Sequence, residues 1–153
     1  MKHKGYWLWP ALVLAVGGLS WLFSRNGMEE TYPLLEKSAL SPPGFVFPIV
    51  WTVLYILMGI GFAMVLNAKK PGSRAAGPIW FVQLGLNFLW SLLFFRWSLY
   101  GWALVCLILL WLAIAAMIGR FRAFSKTAAA LQVPYLLWVT FAGWLNYVVW
   151  QLN

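Results

Sequence analysis

Side chains able to do acid–base, nucleophilic or metal chemistry are scarce in this sequence of 153 residues: three acids (Glu29, Glu30 and Glu36), one histidine (His3) and one cysteine (Cys106). A lone cysteine excludes an intramolecular disulfide, and one His with one Cys leaves zinc sites and Ser-His-Asp or Cys-His machinery without their parts, so no metal is expected. No GxxxxGK[ST] phosphate loop occurs. The chemistry on offer is instead aromatic and amide, with 12 Trp, 6 Tyr and 11 Phe making up 19% of the chain. Gln83, Asn87 and Ser91 stand four residues apart, so on a helix they form one polar stripe, with Trp90 beside it. Trp51 and Tyr55 lie one turn apart with Met58 and Phe62 continuing that side, and Tyr135, Trp138, Ala142, Trp144 and Leu145 gather around a kink site at Pro134. Such groups suit a flat apolar ligand with polar edges, stacked and hydrogen-bonded.

The elements that must position these residues follow from composition. The chain is 63% hydrophobic and 9% charged, against about a quarter charged for a soluble domain. Its net charge of +8 sits in short clusters between apolar runs rather than on one solvated face, so membrane lipid is the expected partner and nucleic acid is not. Crossing a bilayer takes roughly 20 helical residues. Five uncharged runs qualify, which predicts helices over 6–24, 45–68, 75–95, 97–119 and 127–151, the last uncharged run reaching Asn153. The first run exceeds a signal h-region of about 7–15 residues and no A-x-A site follows it, so it reads as a retained helix. The fold class is therefore an all-α integral membrane protein, a five-transmembrane-helix bundle forming one domain over 1–153.

Charge gives an independent check. With the N-terminus inside, the inner segments hold eight basic residues and no acid: Lys2, Lys4, Lys69, Lys70, Arg74, Arg120, Arg122 and Lys126. The outer segments hold Arg25, Lys37 and Arg96 together with all three acids. The positive-inside rule then puts the N-terminus in the cytoplasm and the C-terminus outside. The long connection 25–44 mixes Tyr32, Leu34 and Leu35 with the acids and Ser41-Pro42-Pro43-Gly44, a composition that suits a lid over a pocket. The stretch Arg96 to Ser98 is short enough to make the third and fourth helices antiparallel neighbours.

Within the bundle, the stripe of Gln83, Asn87 and Ser91 must face inward, since amides facing lipid would go unsatisfied. Gln83 is open to two readings, interhelical hydrogen bonding or ligand contact; Asn87, near mid-span, points to ligand contact. Trp7, Trp9, Tyr147 and Trp150 have the positions of interfacial anchors, whereas Trp51 and Trp138 lie deeper and need a partner for the indole N–H. Gly59 with Ala63, and Ala115 with Gly119, permit close helix approach within a monomer or across a dimer. The absence of acids and bases mid-span argues against an ion-driven pump or voltage sensor, and an odd span count argues against an inverted-repeat transporter.

Four segments, SPPGFVFPIVWTVLY (41–55), QLGLNFLWSLLFF (83–95), GWALV (101–105) and VPYLLWVTFAGWLNYVVW (133–150), resemble the TspO/MBR family, the tryptophan-rich sensory proteins related to the mitochondrial translocator protein or peripheral-type benzodiazepine receptor. The resemblance implies a five-helix bundle in a bacterial cell membrane, often a homodimer, whose pocket opens toward the first loop. It implies protoporphyrin IX and other tetrapyrroles as ligands, with isoquinoline carboxamides and benzodiazepines, and porphyrin as ligand or substrate rather than resident cofactor. Carried over by motif, Trp51, Asn87 and Trp138 are pocket residues, Tyr32 and Pro42 come from the lid, and Phe94, Ala142 and Leu145 form the wall. Three functions follow as expectations: a receptor or sensor, a light-dependent porphyrin-degrading enzyme with Trp51 and Trp138 in the catalytic role, or a tetrapyrrole or lipid transporter. Two positions depart from the family. Gln151 replaces the basic residue of the cholesterol motif that Leu145 and Tyr147 otherwise match, so cholesterol recognition is not expected. Cys106 stands where an acid is common on the fourth helix.

Overall fold

The computed structural model describes residues 5–153; Lys2, His3 and Lys4, to which topology and chemistry were assigned above, lie outside the described residues. Six α-helices, with the turns that extend them, make up five membrane-length spans: α1 (Gly5–Asn26), α2 (Val46–Asn67), α3 (Gly77–Ser91), which a 3-10 turn before it and a π turn after it lengthen to Ser73–Arg96, α4 (Tyr100–Arg122), and α5 (Lys126–Leu131) with α6 (Val133–Leu152), which together form the fifth. At 1.5 Å per residue the 22-residue α2 and 23-residue α4 each cover the roughly 30 Å of a hydrocarbon core.

The helices close into a ring in the order α1, α2, α5 with α6, α4, α3 and back to α1. Arg120 Nη1 donates to the Ala75 carbonyl at 3.4 Å, placing the α2–α3 and α4–α5 connections at one end of the bundle. Arg96 Nη1 donates to the Phe23 carbonyl at 3.2 Å, and Glu36 bonds Asn153, which gathers the first connection, the α3–α4 turn and the C-terminal end of α6 at the other. The α1–α2 seam is the closest. A Cβ on Gly59 would run into the Pro10 backbone, so the small residue at this position is used within the monomer. Gly119, by contrast, faces open space.

The half of the bundle toward the Arg120–Ala75 contact is filled by rings. Phe62 stacks on Trp80 at 4.3 Å, Trp9 meets Phe62 edge-on at 4.8 Å, and the Trp80 indole donates to the Met58 carbonyl at 3.2 Å. Trp9 is therefore a packing residue rather than the interfacial anchor its place in the sequence suggested: span position does not report which face of the helix a residue occupies. Trp7, at 64% exposure, and Trp150, at 47%, do stand on the outer surface.

Three boundaries differ from expectation. The first helix does not stop at Ser24, because Asn26-Gly27 does not break it; the chain continues through a π turn (Gly27–Thr31) and a 3-10 turn (Tyr32–Leu34), so only the part after Leu34 is irregular lid. Helix α4 starts later, at Tyr100, because Ser98 takes a left-handed conformation (φ 54°) that turns the chain after the π turn Leu92–Arg96. Finally, Pro134 does not kink a continuous helix. The break falls at Gln132, and Pro134 occupies the first turn of α6, where its missing N–H costs no hydrogen bond.

Gly59→Ala is expected to destabilise the bundle by roughly 1–3 kcal/mol, the usual cost of overpacking against backbone that cannot yield. Thermal unfolding in detergent checks this, with Gly85→Ala, whose added methyl meets nothing, as the neutral comparison.

Candidate functional site

Helix α2 makes little close backbone approach to α3 or α6, and side chains bridge most of the space. Trp51 is the node of that bridge. Its ring stacks on Tyr55 at 5.6 Å, tilts against Trp90 at 6.1 Å, and receives the edges of Tyr135 at 6.2 Å and Trp138 at 6.4 Å. All four separations fall in the range where aromatic pairs attract beyond simple burial.

Beside this ring cluster runs a network of phenols and amides. The Tyr135 hydroxyl donates to Gln83 Oε1 at 2.8 Å and accepts from Asn87 Nδ2 at 2.9 Å, while Tyr55 donates to Asn87 Oδ1 at 3.4 Å. The stripe at Gln83, Asn87 and Ser91 is buried and turned into the bundle. Farther toward the lid, Trp90 Nε1 donates to Asn146 Oδ1 at 3.0 Å, and Asn146 Nδ2 donates to the Tyr100 carbonyl at 2.9 Å. Ser24 on α1 joins through its hydroxyl, which donates to the Ser91 carbonyl at 3.3 Å. Among the described residues three buried donors have no hydrogen-bond partner, the Ser41 hydroxyl in the lid and, beside the ring cluster, Gln83 Nε2 and Trp138 Nε1. Both ends of the Asn87 amide are engaged by tyrosines, and Gln83, open to two readings from the sequence, bonds Tyr135 through its oxygen and keeps a free donor.

The residues singled out from sequence divide between separate spaces. Trp51, Trp90 and Ser91 line a cleft of about 260 Å³ between α1 and α2. Tyr32, Trp90, Phe94, Ala142 and Leu145 enclose a void of about 20 Å³ under the lid, with room for about one water. Trp138 turns one side toward Trp51 and another toward a surface groove between α2 and α6. Asn87 lies behind the rings and borders none of these spaces; nor does Pro42, which sits half-buried in the lid. Of these three spaces, the cleft and the void fall below the roughly 300–1,000 Å³ of pockets for drug-sized ligands, and the α2–α6 groove, at about 510 Å³, falls within it.

Several contributors went unread in the sequence. Helix α1 supplies Gly17, Ser20 and Ser24 to the cleft, a run of small residues at helical spacing that a search for inward-facing polar positions would have found. Asn146, a lone amide in an otherwise apolar turn, was a second such signal.

A model of the TspO/MBR family matches residues 9–151. The tryptophan-rich protein TspO of Chlorobaculum tepidum is 40% identical over 144 residues, covering 93% of this chain and 91% of that protein. A tryptophan-rich sensory protein of Cereibacter sphaeroides is 38% identical, covering 82% and 78% respectively. The translocator protein of Bos taurus is 36% identical, covering 97% and 88%.

Tyr135→Phe should strand Gln83 and Asn87 together. Leaving a buried polar group unpaired costs roughly 1–3 kcal/mol, so this one-atom deletion is expected to lower thermal stability clearly, whereas Tyr147→Phe on the outer surface should not.

Proposed function

The chain belongs to the TspO/MBR family of integral membrane proteins, and on that premise we propose that it is a receptor or sensor that binds protoporphyrin IX and related tetrapyrroles within its aromatic interior. The observation that carries this reading is the Trp51 cluster: rings from α2, α3 and α6 meet edge-on and stacked beside two buried donors that the protein leaves without acceptors. A tetrapyrrole offers what these groups lack, a flat π face for the indoles and carboxylate edges for the Trp138 and Gln83 N–H groups. Spending a donor in a hydrocarbon surround costs free energy unless a ligand accepts from it. The words sensory and translocator in the names of similar proteins accord with a ligand-responsive role. In this reading the protein lies in the cell membrane with the Lys69–Arg74 and Arg120–Lys126 clusters toward the cytoplasm and the lid outside.

A second reading has one observation in its favour. Trp51 and Trp138 touch at 6.4 Å, two oxidisable indoles side by side in the proposed pocket. Light absorbed by bound porphyrin in the presence of dioxygen would then drive oxidation there, with the indoles as participants.

Protoporphyrin IX titrated into the protein in lipid nanodiscs should quench tryptophan fluorescence along a saturable curve. The Trp51→Phe, Trp138→Phe double variant should weaken binding about tenfold or more, since two aromatic contacts are worth roughly 0.5–1.5 kcal/mol each and an indole N–H is lost with them. An unchanged midpoint, with helix content retained, would sink this pocket. Illumination of the same samples separates the two readings: a porphyrin product that requires both tryptophans favours oxidation, and none leaves the receptor alone.

A further inference from the structure

The lid end of the bundle is tied shut. The Glu36 backbone N–H donates to Asn153 Oδ1 at 3.3 Å, and Asn153 Nδ2 donates back to the Glu36 carbonyl at 2.9 Å. Trp144 Nε1 donates to the Ser38 hydroxyl at 3.2 Å. Lys37 folds over the Tyr32 ring, 4.8 Å from its centre, and donates to the Tyr32 and Leu35 carbonyls at 3.0 Å each. Below them Tyr32 meets Phe47 at 5.8 Å and Phe95 at 5.7 Å, and the space beneath is the void of about 20 Å³.

The side of the bundle is different. The cleft of about 260 Å³ has Trp51 and Trp90, members of the central ring cluster, as its floor. Its rim is formed by Gly18 and Trp21 of α1 and by Pro48 and Thr52 of α2, all exposed and all within spans of membrane-crossing length. With those spans crossing a bilayer, a rim within them faces lipid rather than water. The hydroxyls of Ser20, Ser24 and Ser91 line the same cleft, so a molecule moving through it meets polar groups before it reaches the indoles.

We infer that the pocket is loaded sideways from the bilayer, through the α1–α2 cleft, while the lid stays closed. This rests on the tetrapyrrole-binding reading and narrows it: the ligands are planar apolar molecules already dissolved in the membrane, with small polar edges. Partition into lipid concentrates them at the rim, and Gly18, where even an added Cβ would meet nothing, leaves the path beside α1 open, while the Tyr55 ring packs against Gly17 and bounds it on the inner side.

Gly18→Leu tests this, because an added Cβ there meets nothing and the variant keeps its packing. In nanodiscs loaded with protoporphyrin IX, stopped-flow tryptophan quenching should show association and dissociation both slowed about tenfold or more, with Kd unchanged, since narrowing a route raises the barrier without altering either end state. The Ser38→Ala, Asn153→Ala double variant, which loosens the lid, should leave both rates as they were. Unaltered rates in Gly18→Leu overturn lateral loading, as do rates that rise severalfold in the lid variant. Faster dissociation alone in Gly18→Leu overturns it too, by making the cleft the seat of the ligand. Wild-type protein that shows no saturable quenching removes the binding reading itself, so the two failures are distinguishable.

Discussion

A polar group in hydrocarbon has no water to turn to, and Tyr135 is where this bundle meets that condition. Its hydroxyl satisfies one amide oxygen and one amide nitrogen on α3, and through Asn87 it reaches Tyr55 on α2. Three helices with little close backbone approach to one another are thereby held at a separation set largely by side chains. The width of the interior, the orientation of Trp51 among four rings and the split of the remaining space into a cleft and a void all follow from that separation. A bundle of the same helices with small residues at these positions would close up, as the α1–α2 seam does at Gly59 and Pro10.

Much of this was legible beforehand. Five uncharged runs of bilayer length and a four-residue polar stripe are local patterns, and local patterns survive translation into helices. Which groups bond one another is not local. Tyr135 was noticed only as one aromatic among several, because its partners lie 48 and 52 residues away in the chain. Helix α1 was undervalued for a related reason: its Leu and Trp content reads as lipid-facing, and the few small polar residues that turn inward matter only once α2 is beside them. The end of α1 was misread because an Asn-Gly pair is a good stop signal in water, where a freed carbonyl finds a partner; here the chain stays helical through Leu34.

The aromatic surplus resolves into three populations with different physical work. Rings around Trp51 hold the interior apart and offer π faces. Rings around Phe62 and Trp80 seal the opposite half by stacking, with the Trp80 N–H satisfied by a carbonyl. Trp7, Trp102 and Trp150 face outward, where an indole sits well between lipid and water. Cys106 fits the same uncharged logic. Its thiol donates to the Leu86 carbonyl at 3.4 Å across the α3–α4 seam, so this position serves as a neutral contact between helices.

The tie between Asn153 and the lid is made entirely to the peptide group of Glu36, its N–H and its carbonyl. A bond to backbone is blind to side-chain identity. The acid at position 36 is therefore free to drift toward almost any residue but proline without disturbing the tie, while the asparagine is not. Among related sequences the register of the loop should be kept more faithfully than its composition, so that insertions and deletions, rather than substitutions, mark the lineages in which this clasp has been given up.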